Sequence, residues 1–389
     1  MAYHRPVASL SAPGRSVRAA RLPVLIGVLA PPLAAFVVAR LVVILASIHT
    51  GRGFPDATDL ARADSFNYLS IAAHGYTLHR CPPGCVPSER LPWTGNAGWF
   101  PLYPLLLAPF SPLGVAPLAG VVISGVCQFA ALALLWRWFI RGCSRPQALA
   151  LMALAAVFPG SIYFAAIFPL SMLVLLFLVG LRSLVTARIG SATVTAFFAA
   201  LAYPLGCLYG AVAWLGFRQQ AGRIAAVISA SAVGLGLLAL AQRLMTGHWD
   251  AYLLSQSGRG HGLHNPAPTL RAAMTGTINF LKAPSRTGLI PEVQIVLVAC
   301  IVAAALLSAL PDLRSPLTQS TALIVASCWA VPIVLGGVSL YRTDAALFPA
   351  LVLLRRAPWQ AVALLAVAAA PVAFLISALF FRSRLGYPG

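Results

Sequence analysis

Apolar stretches of about 20 residues recur along this chain, and no other feature restricts its fold as much. That is the length an α-helix needs to cross a hydrocarbon core ~30 Å thick. In lipid the backbone must satisfy its own polar groups, so stretches of this length are helices. Charged residues make up only 9% of the 389 positions and hydrophobic residues 60%, against about 25% charged in soluble domains. Mean hydropathy is +0.86. The chain reads as an all-α, polytopic transmembrane protein, and a soluble fold is excluded.

Spanning helices are expected near 24–48, 116–138, 147–165, 168–186, 191–205, 206–217, 224–243, 290–309, 317–338, 343–355 and 358–381, about 9–11 in all because several are short for a span. Pro204 separates the fifth from the sixth; broken helices persist in membranes where protein covers them. Residues 1–21 carry Arg5, Arg15, Arg18 and Arg21 and no acid, and form a basic tail expected to be disordered. Residues 22–389 form one transmembrane domain. The apolar run from Leu22 to about Ile48 is too long for a signal-peptide core. It reads as a retained first helix with the N-terminus cytoplasmic, in the plasma membrane.

The formal charge of +19 would point to nucleic acid in a soluble protein. Here it is almost wholly arginine, with Lys282 the single lysine, and it is dispersed over short loops. With the N-terminus inside, the inner loops collect Arg137, Arg141, Arg145, Arg182, Arg188, Arg218, Arg223, Arg314, Arg355 and Arg356. That is the positive-inside pattern and headgroup contact. No compact basic patch with interleaved aromatics is present, so nucleic acid is not a partner.

Two long loops, about 50–115 and 244–289, fall outside. Asp56, Asp59, Asp64 and Glu89 lie in the first and Asp250 in the second. His49, His74, His79, His248, His261 and His264 lie in or beside them. Gathering acids and imidazoles on one face is unnecessary for merely spanning a membrane. In "RADSFNYLSIAAHGY" (62–76), helical projection puts Asp64, Asn67, Ser70 and His74 on one side and Phe66, Leu69 and Ala73 on the other. A short amphipathic helix ended by Gly75 is expected, lying in the outer interface. The turn "CPPGC" brings Cys81 and Cys85 together, as a disulfide outside the cytoplasm or as half of a zinc site with His74 or His79. "GWFPLYPLLLAPFSPLG" (98–114) has too many prolines for a clean span. It reads as a short broken helix dipping into the outer leaflet, with Trp99, Phe100 and Tyr103 suited to the interface. The stretch 261–268 reads as loop.

These two first-loop segments resemble the GPI mannosyltransferase II (PIG-V) family and its bacterial relatives. That family shows Arg-Trp-Asp, Trp-Tyr, Ile-Ala-x-x-Gly-Tyr and Phe-Phe-Pro-Leu-Tyr-Pro. Weaker likenesses are "FPGSIYFAAIFPLSMLVLLF" (158–177), "TGHWDAYLLSQSGRG" (246–260) and "SLYRTDAALFPALVLL" (339–354). The chain departs from the family at Ala63, Asn67, Leu170 and Tyr203, where the family has Trp, Trp, Glu and Arg. The resemblance implies a GT-C-like membrane glycosyltransferase that moves a sugar, mannose by likeness, from a polyprenyl-phosphate donor. The acceptor would be a glycolipid or envelope glycan on the extracytoplasmic face. No further cofactor and no metal are expected.

On that reading Asp64 is the general base, taking the acceptor hydroxyl's proton; by position it also suits a helix N-cap. Arg62, Arg342 and Arg40 are candidates for the donor phosphate, which arginine binds in bidentate fashion. Their alternatives are topology and headgroup contact. Arg40, two turns inside the first helix, must find a partner or snorkel. Asn67, Tyr68, His74 and His248 are candidates for acceptor binding, or for packing and solvated loop. A pentose (arabinofuranose) transferase would share the architecture. A glycolipid transporter would instead bury ionisable groups at mid-membrane in repeated halves, and a scaffold subunit would need no site.

Overall fold

The computed structural model describes residues 21–80, 93–218, 220–257, 262–336 and 340–382. They form an all-α polytopic bundle with one two-stranded hairpin. Among them, six helices are long and apolar enough to cross a membrane. These are α1 (Arg21–His49), α4 (Ala116–Leu135, extended by a π-turn to Ile140), α11 (Ala221–Thr246), α14 (Ile290–Ala309), α15 (Pro316–Val334) and α18 (Trp359–Arg382).

The remaining elements of the bundle are shorter and more deeply buried. They are α5 (Arg145–Ala156), α6 (Ile162–Ala165), α7 (Leu170–Val185), α8 (Ile189–Ala202), α9 (Leu208–Ala211) and α10 (Ala213–Gly216). With 12, 16 and 14 residues, α5, α7 and α8 rise only roughly 18–24 Å. They can end inside the bundle because neighbours cover their termini: α4 packs on α7, α11 on α8, and α18 on both α5 and α1.

Three expected spans are broken. That over 206–217 becomes the end of a 3-10 turn and the four-residue helices α9 and α10. The helix expected over 147–165 stops at Ala156, because Pro159 and Gly160 force a turn before α6 resumes. The stretch 343–355 is split into α16 (Leu340–Thr343), a 3-10 turn at Asp344–Leu347 and α17 (Ala350–Leu354). The break at Pro204 is present. Tyr203 is extended (φ −164°) and a 3-10 turn follows over Pro204–Cys207. Gly206 is required there, since a Cβ would lie 1.7 Å from the Ala199 carbonyl oxygen.

The first inter-helix loop carries α2 (Ser65–His74), the hairpin β1 (Leu78–Arg80) with β2 (Trp93–Gly95), and α3 (Leu102–Leu107) with a 3-10 turn at Ala108–Phe110. α2 ends at Gly75, as expected, and buries Ser65, Tyr68 and Ile71. Phe66, Leu105 and Leu113 are 60–71% exposed. The aromatics expected at the interface lie inside instead: Trp99, Phe100 and Tyr103 are 7%, 4% and 0% exposed. The Tyr103 hydroxyl donates to the Gly120 carbonyl at 2.8 Å and shares a hydrogen bond with Ser124, which ties α3 down onto α4. The second loop is more ordered than its sequence promised. It holds α12 (Ala251–Ser257) and α13 (Pro266–Lys282). Asn265 caps α13 by accepting from the Ala267 N–H, with Pro266 as the first helical residue. That is a start signal within the stretch expected to be loop.

Candidate functional site

The site is built where α2 begins. Ala63 adopts a left-handed conformation (φ +54°), costly for a residue with a Cβ. It turns the chain so that its two charged neighbours take separate partners. Arg62 reaches back to Asp59: Nε donates to its carbonyl at 2.9 Å and Nη2 lies 3.7 Å from its carboxylate. Asp64 goes the other way. It occupies the N-cap position of α2, yet its side chain makes no capping hydrogen bond. Its Oδ2 lies 2.5 Å from Nη1 of Arg342. The Arg342 side chain is 6% exposed and that of Asp64 20%. The pair therefore lies recessed, with its acid toward the opening.

Tyrosines surround it. The Arg342 guanidinium stands 5.7 Å from the Tyr341 ring centre, and Tyr163 lies 6.3 Å from the same ring. Tyr68 is 2% exposed, edge-on to Tyr103 and Phe168. Burial first, then neighbouring Tyr203 and Asp64, push the Tyr68 phenol well above its ordinary value, so it is neutral at any physiological pH. Arg342 itself is carried on a segment too short to hold its own shape. Gly160 (φ +79°) lets the 158–163 turn approach it, since a Cβ there would sit 3.1 Å from Ala345 N and 3.3 Å from the Tyr341 carbonyl oxygen. On the other side Gln294 of α14 donates to the Tyr341 carbonyl (2.7 Å) and to the Asp344 carboxylate (2.8 Å). The Arg342 Nε is buried with no hydrogen-bond partner among the described residues.

Of the residues singled out from sequence, the structure thus joins Asp64 with Arg342. Asn67 is half-buried and His74 exposed on the neighbouring turns of α2. Tyr68 belongs to the packed interior and does not face an open acceptor site. Arg40 is bound inside the bundle: Nη2 donates to Gln128 Oε1 of α4 at 2.8 Å and to the Phe164 carbonyl at 3.3 Å. It found partners rather than snorkelling, and they tie α1 to α4 and α6. Its Nε has no partner among the described residues. His248 packs against Trp93 of the hairpin, with ring centres 4.9 Å apart, and lies 3.9 Å from Asp250, where the two loops meet. Cys81, Cys85 and His261 lie outside the described residues. Among the described residues no group of three or more His, Cys, Asp or Glu is placed to hold a metal ion.

A cavity of about 240 Å³ opens between the Pro204 turn, α11 and the second loop. Its wall includes Phe100, Pro204, Leu238, Trp249 and Tyr252, so it is mainly apolar. It begins next to Tyr203, whose electrostatic neighbours include Asp64, Arg342 and Tyr252. Burial pushes the Tyr252 phenol up to about 12, leaving it a neutral hydroxyl at the cavity wall.

Sequence reading did not single out Gln294 or Asp344. The signal for Gln294 was present: a carboxamide two residues after Glu292 in a spanning helix that is apolar from Ile295 to Leu307. For Asp344 it was its place two residues after Arg342.

The fold and the site together define an α-helical membrane protein with a recessed acid–arginine pair between its first loop and its C-terminal third. No family model, no curated protein and no solved structure matches the chain.

Proposed function

We propose that this chain is a membrane glycosyltransferase. It moves a sugar, mannose by its sequence likeness, from a polyprenyl-phosphate donor to a lipid-linked or envelope glycan acceptor on the extracytoplasmic face. The observation that carries the reading is the Asp64–Arg342 pair. A capping role would leave the carboxylate on its own helix, whereas here it neutralises a buried guanidinium. That guanidinium still has a buried donor, Nε, with no partner among the described residues.

A donor phosphate would take up that Nε and compete with Asp64 for the charge of Arg342, in the fork geometry guanidinium offers to phosphate. Asp64, released, becomes available as base. The acceptor hydroxyl oxygen attacks the anomeric carbon while Asp64 takes its proton. The bond from that carbon to the phosphate oxygen breaks. Its electron pair stays on the lipid phosphate, which Arg342 stabilises as charge develops. The sugar is transferred with inversion. The apolar cavity beside Tyr203 suits the isoprenoid chain, since ligand sites are mostly apolar with few polar groups. A pentose donor would fit the same chemistry.

The test uses purified protein in proteoliposomes, radiolabelled polyprenyl-phosphate mannose and a membrane lipid extract as acceptor. The wild type is expected to transfer label. Asp64→Asn is expected to lose at least roughly 100-fold, the lower range of general base catalysis, with donor binding retained. Undiminished transfer by Asp64→Asn removes the base assignment. No transfer by the wild type from either a mannose or a pentose donor removes the transferase reading.

A further inference from the structure

We infer that Gln294 is a positioning residue for Arg342, acting through a clamp that Asp344 closes. The inference rests on the reading of Arg342 as the phosphate-binding arginine.

Arg342 sits on α16, four residues long, followed at once by the 3-10 turn Asp344–Leu347. A single helical turn does not sustain itself, because it fixes several dihedral angles for one hydrogen bond. The direction of the Arg342 side chain must therefore be imposed from outside. One amide does this. Gln294 is 0% exposed, and its Nε2 donates to the carbonyl of Tyr341 at 2.7 Å and to Oδ2 of Asp344 at 2.8 Å. The first acceptor lies just before Arg342 in the chain and the second just after. The two bonds bracket the arginine, and the 158–163 turn with Gly160 closes the segment from the opposite side.

The amide carries a cost where it stands. It lies in a spanning helix whose most apolar 18-residue window has a mean hydropathy of 2.7. Its own Oε1 is buried without a partner among the described residues, and a buried polar atom left unpaired is a cost. An apolar side chain of the same length would avoid that cost but would strand the Tyr341 carbonyl and the Asp344 carboxylate, the two groups that straddle Arg342. Asp344 is complementary: a buried carboxylate, 5% exposed, whose partner among the described residues is this same amide. The arginine's ionic bond goes to Asp64 rather than to this nearer acid in the chain. Gln294 thus occupies Asp344 and leaves Arg342 to Asp64.

The experiment measures equilibrium binding of undecaprenyl phosphate to the purified full-length protein in detergent, with thermal unfolding of the same samples to count folded molecules. The set is wild type, Arg342→Gln, Gln294→Met, Asp344→Leu and Asp344→Asn. Wild type should bind and Arg342→Gln should not. Gln294→Met keeps the side chain's length without its donors, and should weaken binding roughly 10-fold or more, the scale of a misdirected contact group. Asp344→Leu should do the same. Asp344→Asn retains an acceptor oxygen for Gln294 and should bind within about 3-fold of wild type, less than one hydrogen bond's worth. A merely structural role would not separate Asn from Leu at equal folded fraction.

If Arg342→Gln binds as well as wild type, the phosphate assignment itself fails and the clamp with it. If Arg342→Gln loses binding while Gln294→Met keeps it, the assignment stands and the clamp is overturned. Should Gln294→Met not fold, equal binding by Asp344→Leu and Asp344→Asn overturns it, and loss in Leu alone supports it.

Discussion

Asp64 and Arg342 are far apart in sequence and in contact in space, so each is the other's main electrostatic environment. Breaking a buried ion pair from one side costs about 3–5 kcal/mol, because it strands the remaining charge. Asp64 is 20% exposed, which places the expected cost of Asp64→Asn near the lower end. By position Asp64 suits a helix N-cap, a role asparagine would keep. The structure changes that expectation, since the carboxylate makes no cap and instead neutralises Arg342. The double variant Asp64→Asn/Arg342→Gln should therefore unfold at a higher temperature than Asp64→Asn alone while remaining inactive. A melting temperature for the double variant at or below that of the single one would mean the pair does not interact as described. Asp64 stood out in the sequence because its flanking residues form a motif. Its partner was legible only as one arginine among many, since nothing in a linear sequence tells which cation folds back over the first loop.

At the scale of elements, the long spans were plain in the sequence. α1, α4, α11, α14, α15 and α18 each coincide with an expected apolar run within a few residues. The errors fall where proline and glycine interrupt short buried helices, because periodicity is lost when every face is apolar. Trp99, Phe100 and Tyr103 misled for a related reason: aromatic residues suit both the interface and the core, and only packing decides between them. The turn at Pro204–Cys207 offers a direct test of how tightly one such break is specified. Alanine at Gly206 would place a Cβ 1.7 Å from the Ala199 carbonyl oxygen, so the end of α8 and the turn must separate. We expect Gly206→Ala to lower stability by about 1–3 kcal/mol, the usual range for overpacking, and to weaken donor binding through the shift of Tyr203. A variant with wild-type melting temperature would show that the turn gives way freely.

At the scale of the molecule, the arrangement of arginines predicts which face is which. With native cysteines replaced, Thr58→Cys and Ala267→Cys should react with an impermeant thiol reagent in intact cells, and Ser144→Cys only after permeabilisation. The reverse pattern would invert the topology and put Asp64 on the cytoplasmic side. Composition was enough for the fold class, but it could not reveal that short helices fill the bundle while longer ones surround it. Nor could it show how much apolar surface the two loops keep. Phe66, Leu105 and Leu113 remain 60–71% exposed on the first loop, and Trp249, Leu253 and Leu281 62–71% on the second. Side chains left this open on both loops would be shielded by lipid rather than water, so the detergent belt of the purified protein should cover the loops as well as the spans.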